Sequence, residues 1–219
     1  MFEIEAKKLR HCLGLLPSEA LSPILDIGSG SAREREVDKP WVEACLFRPL
    51  RDGGHSIVHL DIDDVPGVDV VADIFSDEGL ESARSAAPRT VLLCNVLEHV
   101  EQPAMLVERV FGLLPAGGHL VISVPRSYPH HRSPIDTMYR PTPVEVAALA
   151  PQASVVFGEV LATSSYWEDV KRRPWILLRQ VLRAPFPFLG WERYVRTMQK
   201  LYWLVNPYLV TIVVMRKPA

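Results

Sequence analysis

The sequence predicts an α/β fold: a seven-stranded, mostly parallel sheet with helices on both faces and a helical insert before the last strand. Three observations predict it. Short, largely apolar runs such as Ile24-Leu25-Asp26-Ile27 and Thr90-Val91-Leu92-Leu93-Cys94 read as strands buried on both faces. These runs alternate with stretches of helical periodicity. Glycines and polar residues gather just after the runs, at the carboxyl ends where open α/β sheets bind ligands.

The elements follow in order. Residues 1–18 are amphipathic, with Phe2, Ala6, Leu9, Leu13 and Leu16 at helical spacing. Acids precede the basic cluster and no apolar core follows, so this stretch is not expected to be a signal peptide. The first strand ends in Gly28-Ser29-Gly30, a tight turn. Ile57 to Leu60 is the second strand, closing on Asp61, and Val68 to Val71 is the third, closing near Asp73. Thr90 to Cys94 is the fourth. Gln102 to Leu114 is a helix with Pro103 in its first turn and Leu106, Val107, Val110, Phe111 and Leu114 on its apolar face. Ala116-Gly117-Gly118 ends it, and His119 to Val124 is the fifth strand. Thr142 caps a short helix running to about Leu149. Ser154 to Leu161 and Leu209 to Met215 are the sixth and seventh strands. The whole reads as one domain, with a core over 20–150, an insert over 165–207 and a last strand within 208–217.

Composition sets further bounds. Hydrophobic residues make up 48% and charged residues 23%, as in a soluble globule. The net charge of −2 excludes a molecule that binds polyanions over its whole surface. The charge is nevertheless uneven. From Lys171 onward there are 10 basic residues and one acid, Glu192, against 14 basic and 25 acidic residues before it. Cys12, Cys45 and Cys94 are odd in number and scattered, which suits a reducing cytoplasm and neither a disulfide framework nor a metal cluster. No apolar run reaches 18 residues, so no span across a membrane is expected.

The turn after the first strand is the first candidate site. Gly28 and Gly30 let the chain bend sharply and approach a ligand; by itself such a pair is equally a plain turn. Asp61, at the tip of the second strand, is placed to accept from ribose hydroxyls. Arg33 stands where a dinucleotide fingerprint needs its third glycine, and the interval from Gly30 to Asp61 is long for that fingerprint. Both points count against a nicotinamide pyrophosphate.

The segments ILDIGSGS, HLDIDD, VDVVADIF, LLCNVLEHV and LLPAGGHLVISVP occur in that order. Together they resemble the successive motifs of class I S-adenosylmethionine-dependent methyltransferases, in particular the small-molecule group with a VLEHV motif. The resemblance covers roughly residues 20–150. It implies a Rossmann-like fold and S-adenosylmethionine as cofactor. It implies that Asp26, Gly28, Ser29 and Gly30 border the methionine moiety, and that Asp61 binds the ribose with Ile62 against the adenine. Asp73 would accept from the adenine amino group with Ile74 lining the ring, and Asn95 would lie near the reacting methyl. Asp73 could instead be a helix cap or turn residue. Glu98 and His99 read as orienting the loop rather than performing chemistry. The chain departs from the pattern over 31–55, where Pro40 interrupts a helix and a loop over the cofactor is expected. Arg33 or Arg35 could reach the cofactor carboxylate there, with solvation the favoured reading.

The stretch Pro125 to Pro141 is polar and proline-rich, a setting in which loops carry function. It resembles a Tyr-Pro, His, Pro-x-Asp, Arg pattern found in a subset of these enzymes. That implies Tyr128, His130 and Arg140 on the acceptor side. His131 is the candidate general base, since histidine titrates near neutrality, with Asp136 to orient it. The competing reading is an Asp136–Arg140 ion pair that holds the loop. Adjacent histidines rarely share one ion, so no metal is expected.

Over 171–200, basic residues interleave with Trp175, Leu178, Phe186, Phe188 and Trp191, and Pro185 and Pro187 split the segment into two short helices. A cap over the acceptor pocket is the favoured reading, and peripheral contact with a membrane is the other. No nucleic-acid module is present. The function expected is methyl transfer to a small-molecule, glycan or lipid-like acceptor. The alternatives are a scaffold that binds the cofactor without turnover and, behind it, a nicotinamide oxidoreductase.

Overall fold

A computed structural model describes residues 1–130, 135–175, 178, 194–195 and 198–218. Seven strands form one sheet: β1 (Ile24–Ile27), β2 (Ile57–Asp61), β3 (Val70–Val71), β4 (Thr90–Cys94), β5 (His119–Ser127), β6 (Ser154–Ala162) and β7 (Leu209–Arg216). Their order is β3-β2-β1-β4-β5-β7-β6. β7 runs antiparallel to both of its neighbours, and the other pairings are parallel. The chain leaves β1 in one direction for β2 and β3, then returns to β1's other side as β4. That reversal makes a crevice at the carboxyl ends of β1 and β4.

Side chains alternate across each strand, which splits the core into two layers. On one face Leu25, Ile27, Val91, Leu93, Leu120 and Ile122 pack against α5 (Asp77–Ser85) and α6 (Pro103–Leu113). On the other, Ile24, Leu92, Val121, Ile212 and Val214 are covered by Ala6, Leu9, Cys12 and Leu13 of α1 (Glu3–Gly14) and by Val42, Leu46, Phe47 and Leu50. Two short turns, α2 (Ser18–Leu21) and α7 (Pro143–Ala147), flank the sheet. Thr142 caps α7 by accepting from the Glu145 N–H, while the Glu145 carboxylate takes the Thr142 N–H at 2.7 Å. Beyond β6 lie α8 (Tyr166–Arg172) and α9 (Tyr202–Val205).

The structure differs from the sequence reading between β1 and β2. Residues 34–38 and 40–52 are helical rather than a loop, in four pieces: Glu34–Asp38, α3 (Pro40–Val42), Glu43–Phe47 and α4 (Arg48–Asp52). Pro40 keeps Lys39 out of helical geometry, at φ −133° and ψ 62°, and so breaks the axis. The chain compensates with wide turns, in which the Lys39 N–H reaches back to the Glu34 carbonyl at 2.9 Å. α5 has no counterpart in the sequence reading. Ser76 begins it, accepting from the Gly79 N–H at 2.9 Å, and Asp77 and Glu78 suit the positive end of the helix. The two helices expected around Pro185 and Pro187 lie outside the described residues.

Candidate functional site

The Gly28–Gly30 turn is built for close approach. Gly28 and Gly30 have φ of +71° and +63°, and a Cβ on Gly28 would stand 2.6 Å from the Val96 side chain. Asp61 ties the turn to the next strand tip: its Oδ2 accepts the Gly30 N–H at 2.7 Å and its Oδ1 the Asp63 N–H at 3.2 Å. A carboxylate offers about four lone-pair sites, so acceptor capacity remains for hydroxyls of a ligand. Ser29 turns its hydroxyl onto the Gly30 carbonyl. Ile62, beside Asp61, is 65% exposed.

Asp73 lies just past β3, the strand paired with β2, so it shares the sheet end with Asp61. Its side chain is exposed and accepts the Phe75 N–H at 2.9 Å, a turn-forming bond. Ile74 is buried in the same core layer as Leu60 and Ala83, whereas Phe75 is the exposed apolar side chain next to Asp73.

Arg35 does not sit in solvent. It is buried, and its Nη1 donates to the Ser29 and Gly30 carbonyls at 3.0 and 2.6 Å while its Nη2 donates to the Gly67 carbonyl at 2.6 Å. It thus braces the glycine turn from beneath. Arg33 is exposed beside Asp38.

Asp26 is buried, and its Oδ2 meets His59 Nδ1 at 2.9 Å. Arg51 Nη2 lies 3.0 Å from His59 Nε2. Arginine has only donors, so Nε2 accepts, and the imidazole proton sits on Nδ1 and points at Asp26. The Glu43 carboxylate holds the same guanidinium at 2.6 Å. This relay fixes the floor of the site between β1 and β2.

Asn95 follows β4 at φ +56°, a left-handed conformation that asparagine tolerates. Its N–H donates to the Ser123 carbonyl at 2.8 Å, and its side-chain amide donates to Glu5 Oε1 at 2.8 Å. Glu5 also accepts from the Ser123 hydroxyl at 2.8 Å and, through Oε2, from the Phe2 N–H at 2.9 Å. A fully buried carboxylate from α1 therefore joins the ends of β4 and β5. The sequence reading missed it, although an acid on the apolar face of the first helix is a visible anomaly. Beside it, burial pushes the Cys94 thiol well above its usual range, and the carboxylates of Asp26 and Glu5 add to the shift.

Glu98 and His99 hold the acceptor loop. The Glu98 carbonyl accepts from Thr137 N–H at 2.8 Å and from its hydroxyl at 3.1 Å, and His99 Nδ1 meets the Ile135 carbonyl. Glu98 is 1% exposed, and burial raises its carboxyl from the usual 4.5 to about 7. Asp136 and Arg140 form an ion pair at 2.7 Å with little exposure, and Arg126 donates to the Arg140 carbonyl. His130 is exposed, and His131 lies outside the described residues.

An aromatic cluster closes this end of the sheet. Tyr128 meets Tyr208 edge-on at 4.9 Å and Phe2 at 5.8 Å, and Phe2 stacks on Tyr208 at 5.7 Å. Tyr166 and Val170 of α8 bury themselves in it, and the Trp203 indole donates to the Ser127 hydroxyl at 3.3 Å. Trp167, Trp175 and Leu178 are exposed. Most of the basic insert lies outside the described residues. Among the described residues no group of three side chains could hold a metal, and no helix is long and apolar enough to cross a membrane. A shallow cleft lined by Lys7, Arg10, His11 and Cys45 contains none of the strand-tip residues.

A family model described as a methyltransferase domain matches residues 3–147. A search of curated proteins finds no matching sequence. Among solved structures, coclaurine N-methyltransferase bound to N-methylheliamine and S-adenosylhomocysteine is similar with a TM-score of 0.58 at 16% identity, over 98% of this chain and 72% of that one. The [4+2]-cyclase SpnF is similar with a TM-score of 0.54 at 14% identity, over 97% and 81%. The 1,6-didemethyltoxoflavin-N1-methyltransferase of Burkholderia thailandensis, with bound 1,6-didemethyltoxoflavin and S-adenosylhomocysteine, gives 0.51 at 16% identity, over 99% and 78%. At these identities the likeness is one of fold.

Proposed function

The chain belongs to the methyltransferase domain family, and from that membership we propose that it transfers a methyl group from S-adenosylmethionine to a small-molecule or lipid-like acceptor. The cofactor supplies a methyl group on a positively charged sulfur, a leaving group that needs no further activation. What remains for the protein is to bind, to align the nucleophile and to accept a proton.

One observation carries the reading: the Gly28–Gly30 turn and the Asp61 carboxylate are joined by a 2.7 Å bond at the tips of neighbouring strands. Asp61 would take the ribose hydroxyls, with the exposed Ile62 beside the adenine and Asp73 at the adenine amino group. Gly28, Ser29 and Gly30 would carry the methionine end, and Asn95 would border the methyl. Asp26 supports that end from below through His59. On the acceptor side stand Tyr128, His130 and Arg140. His131, with Asp136, is the base that the sequence pattern offers. The partly buried Phe2, Tyr128 and Trp203 around Tyr208 would suit an acceptor with an apolar part. Peripheral membrane contact through 171–200 belongs to the same proposal, and flotation with anionic liposomes tests it against a chain lacking that segment.

Titration calorimetry tests the cofactor. S-adenosylhomocysteine should bind and NAD should give no heat. Asp61→Asn should weaken S-adenosylhomocysteine about 10- to 100-fold, the worth of a charged hydrogen bond of 1.5–3 kcal/mol. Heat with NAD alone would overturn the reading. Release of S-adenosylhomocysteine with an acceptor separates an enzyme from a scaffold.

A further inference from the structure

Two buried carboxylates flank the end of β4, and among the described residues neither is bonded to an arginine or a lysine. Glu5 is fully buried, and Asp26 is buried on the same face of the sheet. The three groups that Glu5 accepts from are all neutral: the Phe2 N–H, the Asn95 amide and the Ser123 hydroxyl. Asp26 faces Nδ1 of His59, which takes a bond from Arg51 on its other nitrogen and so meets Asp26 as a neutral imidazole. Cys94 closes β4 opposite Ser123 and feels both acids. The N-terminal ammonium opposes them there, as the weakest of the influences on that thiol.

Neutral donors hold a carboxylate in its charged form without cancelling the charge. Negative charge therefore remains beside the crevice between β1 and β4, where water does little to screen it. A buried charge lacking a partner is costly, and a cation entering the crevice supplies the partner. Asn95, which borders the crevice, stands 2.8 Å from Glu5 Oε1.

On the methyl-transfer reading, we propose that Glu5, together with Asp26, sets a preference for the charged cofactor: its carboxylate, one side chain behind Asn95, favours the sulfonium of S-adenosylmethionine over the neutral sulfide of S-adenosylhomocysteine. The two forms share their adenosine and amino-acid ends, so only the sulfur distinguishes them. In the transfer the S–CH3 pair stays on sulfur, and a lone pair of the acceptor takes the methyl group. The positive charge passes to the acceptor and leaves with the proton that it gives up. The attraction ends with that step, so the spent cofactor is the form held less tightly. Glu5 touches no ligand in this scheme. It determines specificity by its charge, separately from its bracing of Asn95, which acts on both forms alike.

Titration calorimetry without acceptor tests this with S-adenosylmethionine, S-adenosylhomocysteine and sinefungin, which carries an ammonium group in place of the methylated sulfur. In the wild type both cations should bind more tightly than S-adenosylhomocysteine. E5Q removes the charge and should lower each ratio about tenfold, the effect of one charge on another nearby in a weakly screening site. E5D keeps the charge and should keep the ratios, even where every affinity falls. Unchanged ratios in E5Q would overturn the proposal, as would ratios lost in E5D. A wild type that binds the cations no more tightly than S-adenosylhomocysteine would overturn it too, and that measurement decides should neither variant fold. Heat from S-adenosylhomocysteine with any of these failures rejects the charge preference alone, and absence of heat from all three ligands rejects the methyl-transfer reading.

Discussion

Glu98 shows how far a single residue can depart from its sequence context. Its VLEHV setting suggests a loop anchor, and its carbonyl is one, yet the side chain is a buried carboxyl raised to about 7. The folded state holds that proton up to about pH 7, whereas the unfolded chain releases it near 4.5. Below pH 4.5 both states are protonated and the group is neutral in its effect. As pH rises through the window from 4.5 to 7, the unfolded state gains the advantage and stability falls. The full shift corresponds to about 3 kcal/mol. Urea unfolding from pH 4.5 to 8 should therefore show the wild type losing up to that amount relative to E98Q, with the two converging at the acid end. Parallel curves would mean that Glu98 ionises as an ordinary surface acid. Arg35 teaches the same lesson differently. An arginine in a charged stretch, REREVD, reads as solvated, because a sequence does not show which carbonyls of a distant turn lack donors. Ser29, Gly30 and Gly67 supply three.

At the scale of elements, the strands were legible because each is a short apolar run closed by a polar residue. The strand tips bearing Asp26, Asp61, Asp73 and Asn95 were legible with them. The segment over 34–52 was not, since Pro40 and the five-residue turns erase a 3.6-residue period. One signal was present: Ser31 and Glu34 exchange hydrogen bonds at 3.2 Å as a capping box, a pattern visible as S-x-x-E. α5 escaped for lack of apolar residues, although Ser76 marks its start. The turn between β1 and that helical segment is the element on which the site depends. Gly28→Ala should be costly twice over. Left-handed geometry costs about 1–2 kcal/mol for a residue with a Cβ, and this Cβ would press on Val96 at 2.6 Å. The variant should unfold at lower denaturant and bind S-adenosylhomocysteine at least tenfold more weakly. Wild-type affinity in a folded G28A would show that the turn does not approach the cofactor.

For the whole molecule, α1 joins stability to function, and two substitutions separate those roles. Its apolar face closes one side of the sheet over Ile24, Leu92, Val121 and Ile212. One turn earlier the same face delivers Glu5 to Asn95 and Ser123 at the mouth of the crevice. Leu13 is fully buried near the end of the helix, far along it from Glu5. Leu13→Ala should cost about 2–5 kcal/mol through lost transfer energy and a residual cavity. For a chain of this size that lowers Tm by roughly 4–20 °C at about 2–4 °C per kcal/mol. Affinity for S-adenosylhomocysteine at low temperature, where the variant stays folded, should be unchanged. Glu5→Ala removes little apolar area but leaves the Asn95 amide, the Ser123 hydroxyl and the Phe2 N–H without their acceptor. It should therefore lower Tm and also weaken the ligand, because the left-handed turn at Asn95 loses its brace. Thermal melts and calorimetry on the two variants decide the matter. Equal losses of affinity in both would mean that α1 acts on the site only by holding the fold together. A loss confined to Glu5→Ala would place the first helix inside the binding machinery.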